Sequence, residues 1–172
     1  MGGDTDDTTT RSAFDAIMDS IDGPAYVVTS SAHGEHAGCY VGFASQCSID
    51  PPRFAVWLSK LNRTYRIASD ARTLVVHVLR ARDTAIARWF AGVTGDEVDK
   101  FAAVRWHPGP DGCPVVEGLD WFAGSIVDQV DAGDHVAFVV APGDGECTQA
   151  AEAALTSDDL GAVEAGHPPD ER

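Results

Sequence analysis

A short polar segment near the middle of the chain combines basic and hydrogen-bonding residues where a helix is predicted to begin. Lys60 and Arg63 can neutralise an anion, and Asn62 and Thr64 carry side chains that can hydrogen-bond to one. The first backbone N–H groups of a helix have no partners within the helix, so they provide additional donors. The segment therefore predicts a site for an anionic group such as a phosphate.

The charge around this segment is opposite to that of the whole chain. The protein has 12 basic and 27 acidic residues, a formal net charge of −15. Between residues 53 and 88 only Asp70 and Asp83 are acidic. The basic residues of that window are Arg53, Lys60, Arg63, Arg66, Arg72, Arg80, Arg82 and Arg88. Two interpretations stay open: an anion site, or a solvated surface whose cations pair with acids elsewhere in the chain.

The overall composition excludes several classes of function. A strongly acidic chain is repelled by nucleic acids and by anionic membranes, so we expect neither as a partner. The N-terminus lacks the pattern of a signal peptide, and no apolar run reaches the roughly 18 residues of a membrane helix, so we expect a cytoplasmic protein. Cys39, Cys47, Cys113 and Cys147 form no C-x-x-C pair, and His33 and His36 have no third ligand at a suitable spacing. We therefore expect free thiols and no metal site.

Predicted strands surround the polar segment. Cys39 to Ala44 and Phe54 to Leu58 are apolar runs on either side of a small, polar loop, Ser45 to Ser48, and a Pro-Pro turn. Thr73 to Leu79 is apolar almost throughout, which is typical of a strand covered on both faces. His77 interrupts this strand. It is either a core histidine bonded to a neighbour or a polar group that reaches a ligand.

The remaining patterns predict short helices and hairpins. Apolar residues at helical spacing between Ala13 and Ile21 predict an amphipathic helix whose apolar stripe packs on another surface. Another helix begins at Asp83 and ends at Gly92, and a hairpin turns at Asp131 to His135. We count six or seven strands and three or four short helices. This pattern predicts a mainly β fold, an antiparallel barrel with covering helices, and the lack of G-x-G-x-x-G after a strand argues against a Rossmann fold.

The chain is predicted to contain one folded domain. Residues 1–11 offer almost nothing to bury and are predicted to be disordered. The domain occupies residues 12–142, and residues 143–172 form an acidic C-terminal extension that is partly helical or disordered.

Five motifs resemble, in order and approximate spacing, those of the flavin reductase family with its FMN-binding split β-barrel. The resemblance covers roughly Phe14 to Pro142. The motifs are GFASQCSIDPP, SKLNRT, VVHVL, FAG with GDEVDKF, and VDAGDHVAF. The resemblance implies an antiparallel split β-barrel with a few short covering helices.

The same resemblance implies roles for individual residues. One group would line the isoalloxazine ring and ribityl chain: Ala44, Ser45, Gln46, Cys47 and Ser48. A second group would hold the flavin phosphate: Lys60, Asn62, Arg63 and Thr64. Gly133, Asp134 and His135 match a turn on the nicotinamide side of the family's site. Gln46, Cys47 and His77 depart from the residues that are common in the family, where His77 replaces an Asn at the flavin edge.

The implied function is an NAD(P)H-dependent flavin reductase. It would transfer hydride from NADH or NADPH to FMN, or to FAD, and would supply reduced flavin to a partner flavin-dependent monooxygenase. Family members form homodimers, so we expect one here. Both reacting atoms belong to cofactors, so no catalytic triad is needed. His135 either seats or protonates the reactants or is only a turn histidine bonded to Asp134. The alternatives are a flavin-binding electron carrier or storage protein with little turnover, and an interaction module that binds no flavin.

Overall fold

The computed structural model describes residues 12–148 and 151–161 of the chain. Apolar and β-branched runs form most of its strands, and short polar or glycine-containing turns separate them. The strands are β1 Tyr26–Ala32, β2 Glu35–Val41, β3 Ala44–Ser48, β4 Arg53–Ser59, β5 Thr73–Val78, β6 Trp106–Pro108, β7 Pro114–Val116, β8 Asp120–Asp131 and β9 His135–Glu146. The α-helices are α1 (residues 12–18), α2 Arg63–Asp70, α3 Thr84–Gly92 and α4 Ser157–Leu160. Three 3₁₀ helices are η1 Ala81–Asp83, η2 Lys100–Ala103 and η3 Pro110–Gly112.

Seven strands form one antiparallel sheet in the order β2-β1-β5-β8-β9-β4-β3. The sheet curves back on itself, because the Trp57 N–H of β4 donates to the Phe43 carbonyl just beyond β2, at 2.9 Å. Side chains such as Val28, Val56 and Phe138 fill the interior of this curved sheet and are fully buried. The predicted mainly β, antiparallel barrel with a few short covering helices is confirmed.

The turn of the β1–β2 hairpin is short. Ala32 pairs with Glu35, so the turn consists of His33 and Gly34 alone. Both residues have positive φ, 53° and 79°, as a two-residue turn between right-twisted strands requires.

A second core lies outside the sheet and holds the helices in place. Phe90 of α3, Phe101 of η2, and Leu155 and Leu160 of the C-terminal segment are buried together. Gly38 of β2 permits this packing, because a Cβ at that position would lie 2.8 Å from Cε1 of Phe90. This core positions α3 and α4 beside the end of β2.

The folded domain extends further toward the C-terminus than predicted. The predicted boundary after Pro142 lies inside β9, which remains paired with β8 as far as Glu146 opposite Trp121. Leu155 then exchanges backbone hydrogen bonds with Ala25 and Leu79. The domain boundary is therefore corrected, since the apolar Leu155 and Leu160 have partners only in the assembled barrel. The predicted disorder of residues 1–11 concerns residues outside the described part of the chain.

Helix α1 is present as predicted, but its apolar side is not covered by the described residues. Phe14, Ile17 and Ile21 are 59%, 57% and 62% exposed. Within the described residues nothing covers these side chains, so the surface on which the stripe packs stays a prediction. No helix in that part is long and apolar enough to cross a membrane.

Candidate functional site

An open cavity of about 430 Å³ lies where β2, β4 and β9 end beside α3 and α4. We call it the central groove. Its walls come from residues 39–43 at the end of β2, residues 57–59 at the end of β4, Asn62, residues 90–95, Lys100, His135 and the C-terminal residues Ser157, Leu160 and Gly161. Cavities of this size hold small ligands and cofactors.

One wall of the central groove is aromatic. The rings of Phe43 and His135 lie 5.5 Å apart between centroids, and Trp57 lies on the same side. Phe43 is 66% exposed, although aromatic side chains normally lie inside. An exposed ring beside a cavity is suited to contact a flat apolar ligand.

His135 has the position that each of the two interpretations requires. Its Nδ1 lies 2.8 Å from a carboxylate oxygen of Asp134, as expected for a turn histidine, and its ring also lines the central groove. Because the carboxylate can only accept this hydrogen bond, Nδ1 carries the hydrogen. In the neutral ring Nε2 is then the acceptor, and in the protonated ring it is a donor.

Asn62 and Thr64 lie at the N-terminus of α2, as predicted. The Asn62 side-chain oxygen accepts a hydrogen bond of 3.0 Å from the Thr64 N–H and caps the helix. Thr64 is 1% exposed, and its hydroxyl lies beside the buried Cys39 thiol. Asn62 lines the central groove, whereas Thr64 lines a neighbouring cavity.

The two basic residues of this segment are already paired. Lys60 donates to both carboxylate oxygens of Asp131, at 2.9 and 2.8 Å, and this hydrogen bond lowers the pKa of Asp131. Arg63 pairs with Glu35.

Other cations of the basic window are paired as well: Arg66 with Asp96, Arg80 with Asp120, and Arg82 with Glu152. For Lys60, Arg63, Arg66 and Arg82 the structure favours the interpretation of a paired surface over that of an anion site, whereas Arg80 and Asp120 form a buried pair.

The segment Ala44–Ser48 is an edge strand, and the predicted loop is therefore corrected. Ala44 pairs with Val56 and Ser48 with Arg53, with a bulge between Gln46 and Ser48 that contains Cys47. The residues of this strand are small and polar, so the sequence does not show the apolar pattern that is typical of a strand. Its structure depends on its pairing with β4.

The polar side chains of β3 bond locally. Ser45 donates to the Gln46 carbonyl, Gln46 to the Ser48 carbonyl and Ser48 to the Pro51 carbonyl. The Ala44 end of β3 directly follows Phe43 at the central groove. Ser48 lies at the far end of β4, about 20 Å from Ser59 at ordinary strand rise.

His77 is a core residue, and its predicted place at the flavin edge is corrected. It is fully buried, its Nδ1 lies 3.0 Å from the Val27 carbonyl, and its Nε2 accepts from the Val116 N–H at 3.0 Å. Burial lowers its pKa to about 4, so the ring is neutral near pH 7. The apolar residues on both sides of His77 were the sequence signal for this role.

A second cavity, of about 480 Å³, lies behind the N-terminus of α2, and we call it the side cavity. It is lined by residues 35–38, Arg63, Thr64, residues 95–102 and Trp106. Gly95 and Lys100 border both the central groove and the side cavity. Sequence reasoning missed Lys100, whose only signal was its place in the GDEVDKF motif.

Comparisons with known proteins decide the family. The family model for the flavin reductase like domain matches residues 18–160, most of the chain. The chain belongs to the flavin reductase family. This confirms the resemblance inferred from the five motifs.

The alignments of this chain with its flavin reductase relatives cover different shares of the relatives' lengths. The chain is 33% identical over 130 residues to the "Probable flavin reductase" of Rhizobium meliloti (strain 1021), covering 75% of this chain and 40% of that protein. It is 30% identical over 129 residues to the "FMN reductase (NADH) RutF" of Enterobacter cloacae, covering 74% and 78%. A solved flavin reductase domain protein from Arthrobacter sp. FB24 shares the fold, with a TM-score of 0.78, 19% identity and coverage of 93% and 98%. The chain thus spans less than half the length of the first relative.

The central groove fits the flavin that is typical of this family. It offers an aromatic wall at Phe43 and Trp57, a hydrogen-bonding ring at His135 and an open volume of about 430 Å³. Asn62 at the N-terminus of α2 adds a polar group to the lining of the groove.

Proposed function

We propose that the protein is an NAD(P)H-dependent flavin reductase that transfers hydride from NADH or NADPH to FMN, with FAD as the alternative acceptor. The observation that carries the proposal is the central groove, in which an aromatic wall and a hydrogen-bonding histidine lie next to the N-terminus of α2. Family membership and the printed name of the Enterobacter cloacae relative, an FMN reductase that uses NADH, support the same activity.

A bound flavin supplies the reaction's chemistry, the acceptance of hydride from nicotinamide. The task of the protein is to hold two flat rings in contact and to keep water away from them. Phe43 and Trp57 provide apolar surface for a ring, and Leu160 closes the groove from the C-terminal side. The backbone and side chains of Ala44, Ser45, Gln46, Cys47 and Ser48 are proposed to follow the flavin along the sheet edge.

His135 is proposed to seat the nicotinamide or to exchange a proton with the reactants. Asp134 holds the ring by its Nδ1 hydrogen, so that Nε2 is free to contact a ligand in the central groove. Asn62 fixes the start of α2 and, with Thr64, forms the predicted phosphate end of the site. Lys60 and Arg63 remain proposed members of that end, although each pairs with a carboxylate in this structure.

The activity is tested with purified protein, NADH or NADPH and free FMN. A flavin reductase consumes the reduced nicotinamide steadily, at a rate proportional to the protein, and the loss of its absorbance measures that rate. A yellow protein that binds FMN without turnover would indicate an electron carrier. A protein that does not quench the fluorescence of added FMN would contradict flavin binding altogether.

We also propose a homodimer with the flavin near the interface. Several apolar side chains of the outer sheet are exposed, among them Phe43 at 66%, Ile49 at 85% and Val130 at 49%. Such side chains are typical of surfaces that another protein covers. Light scattering coupled to size-exclusion chromatography measures the mass, and a monomer at micromolar concentration would contradict the proposal.

The recipient of the reduced flavin is proposed to be a partner flavin-dependent monooxygenase. A second Rhizobium meliloti relative, 33% identical over 134 residues, is named as the reductase subunit of a stachydrine N-demethylase, and the chain spans 54% of its length. That name supports a role in which reducing equivalents pass to a separate protein. Release of reduced flavin into solution, detected with any monooxygenase that accepts it, tests this role.

A further inference from the structure

We infer that residues 156–161 form a movable wall of the central groove, which opens when flavin is exchanged and closes when hydride is transferred. We call these residues the C-terminal strap. The inference rests on the proposed function and names the part of the groove that moves. Its basis is where the strap lies and how it is attached to the barrel.

The C-terminal strap covers one side of the central groove. Ser157, Leu160 and Gly161 line the groove together with the ends of β2 and β4. The hydroxyl groups of Tyr40 and Ser157 lie 3.1 Å apart, and both residues line the groove. The strap also lies directly against Gly42, where a Cβ would be 3.4 Å from Ser157 Oγ. The strap therefore helps to enclose a ligand that is bound in the groove.

The strap begins directly after a residue that is fixed to the barrel. The Leu155 N–H donates to the Leu79 carbonyl at 2.8 Å, and the Leu155 carbonyl accepts from the Ala25 N–H at 2.7 Å. The Leu155 side chain is 1% exposed and belongs to the second core. Backbone pairing and burial keep this residue in place, so a local movement of the C-terminal segment begins after Leu155.

The strap itself is attached mainly by polar contacts near the surface. N–H groups at the start of α4 donate to the Gly23 carbonyl and the Asp22 carboxylate, at 3.0 and 3.1 Å. The Arg88 guanidinium donates to the Leu160 carbonyl at 3.3 Å. Hydrogen bonds that water can replace contribute little net free energy. The Leu160 side chain, 3% exposed, is the main apolar attachment, so the strap can separate from the barrel at a modest cost.

The strap can keep its own shape while it moves. Thr156 and Asp159 form a capping box around α4, in which the Thr156 hydroxyl accepts the Asp159 N–H and the Asp159 carboxylate accepts the Thr156 N–H. Gly161, with a φ of 64°, follows the helix. Because the bonds of the capping box are internal to the strap, opening breaks only the contacts between the strap and the rest of the protein.

The proposed reaction requires a wall that moves. Hydride transfer needs two rings held together and shielded from water, whereas the delivery of reduced flavin needs an open site in each turnover. The walls from β2, β4 and β9 belong to one sheet, and they cannot separate without breaking its backbone hydrogen bonds. The C-terminal strap is the wall whose release leaves the sheet intact.

A disulfide tests the movement, because Gly42 and Ser157 are close enough to be joined through cysteines. The double variant Gly42→Cys, Ser157→Cys is loaded with FMN and compared in its oxidised and reduced forms, and mass spectrometry verifies the cross-link. We expect the oxidised form to release FMN at least about 10-fold more slowly than the reduced form. Flavin fluorescence after rapid dilution measures the rate.

The controls separate the cross-link from the substitutions. Gly42→Cys alone and Ser157→Cys alone receive the same oxidant, and each should release FMN at the same rate before and after treatment. Equal rates in the oxidised and reduced double variant would overturn the inference. So would two cysteines that do not cross-link, because the strap would then not lie against β2. A protein that binds no FMN in any form would instead contradict the proposed function.

Leu160→Ala loosens the strap without a cross-link. We expect both the association and the dissociation of FMN to accelerate about 3-fold or more, because the closed strap loses its main apolar attachment. Leu119→Ala is the matched control, since Leu119 is 6% exposed in the same core and does not line the groove. It should change neither rate. Faster dissociation with unchanged association in Leu160→Ala would show that Leu160 only contacts the flavin, and would overturn the inference.

Discussion

Two histidines of the same sheet lie in opposite surroundings. His77 of β5 is fully buried and bonds to the backbone of β1 and β7. His135 opens β9, bonds to the adjacent Asp134 and borders the central groove. The comparison shows that a histidine serves structure where both ring nitrogens are used by the backbone, and can serve chemistry where one nitrogen faces a cavity.

The largest expected effect comes from removing the structural histidine. We expect His77→Leu to lower the free energy of unfolding by about 3 kcal/mol, because the Val27 carbonyl and the Val116 N–H lose buried partners. His77→Asn, which keeps one donor and one acceptor, is the matched control and should lose less. Urea unfolding measures both. A His77→Leu protein as stable as the wild type would contradict the structural role of His77.

Lowering the pH should reveal the structural role of His77 without a mutation. The folded-state pKa of His77, about 4, lies below the ordinary value of 6.5, so folding favours the neutral ring. This stabilisation is complete above pH 6.5 and is lost as the pH falls through 4. The difference in pKa corresponds to about 3 kcal/mol at most.

Unfolding curves recorded between pH 7 and pH 4 measure this loss, with His77→Asn as the reference that lacks the titrating ring. If the two proteins lose stability in parallel across that window, His77 is not the group responsible.

The groove histidine should affect catalysis rather than stability. We expect His135→Ala to raise the KM for the nicotinamide about 5-fold, consistent with the loss of one hydrogen bond, and to change the dissociation constant of FMN by less. Steady-state kinetics and flavin titration measure the two quantities. The opposite order, with flavin binding the more affected, would place His135 on the flavin side of the groove.

Asp134 should have the smallest effect, because we expect it to influence the nicotinamide through its hydrogen bond to His135. Asp134→Asn leaves a side-chain oxygen that can still accept the Nδ1 hydrogen, so we expect a rise of about 2-fold in the KM for the nicotinamide. The double variant with His135→Ala should be no worse than His135→Ala alone. Additive effects of the two substitutions would show that Asp134 contacts the substrate by a separate route.

The sequence predicted those elements whose pattern is local. The strands β4 and β5 and the helix α3 lie within one or two residues of their predicted bounds, because a β-branched run or a helical spacing is a property of neighbouring residues. The edge strand β3 was not predicted, because its residues are small and polar. These residues form a strand through their pairing with β4. Motif order likewise sufficed to predict the family, which the family model confirms.

Within the candidate site, sequence and structure contributed different parts. The sequence alone determined that Asn62 would lie where α2 begins, that His135 would lie in a hairpin turn and that the chain is a flavin reductase family member, because each depends on nearby residues or on motif order. Only the tertiary structure decided that Lys60 pairs with Asp131, 71 positions away, and that His77 is enclosed while Lys100 lies buried between two cavities. Charge pairing and burial depend on which segments, far apart in the sequence, lie next to each other in the fold. The order of the residues alone does not show those contacts.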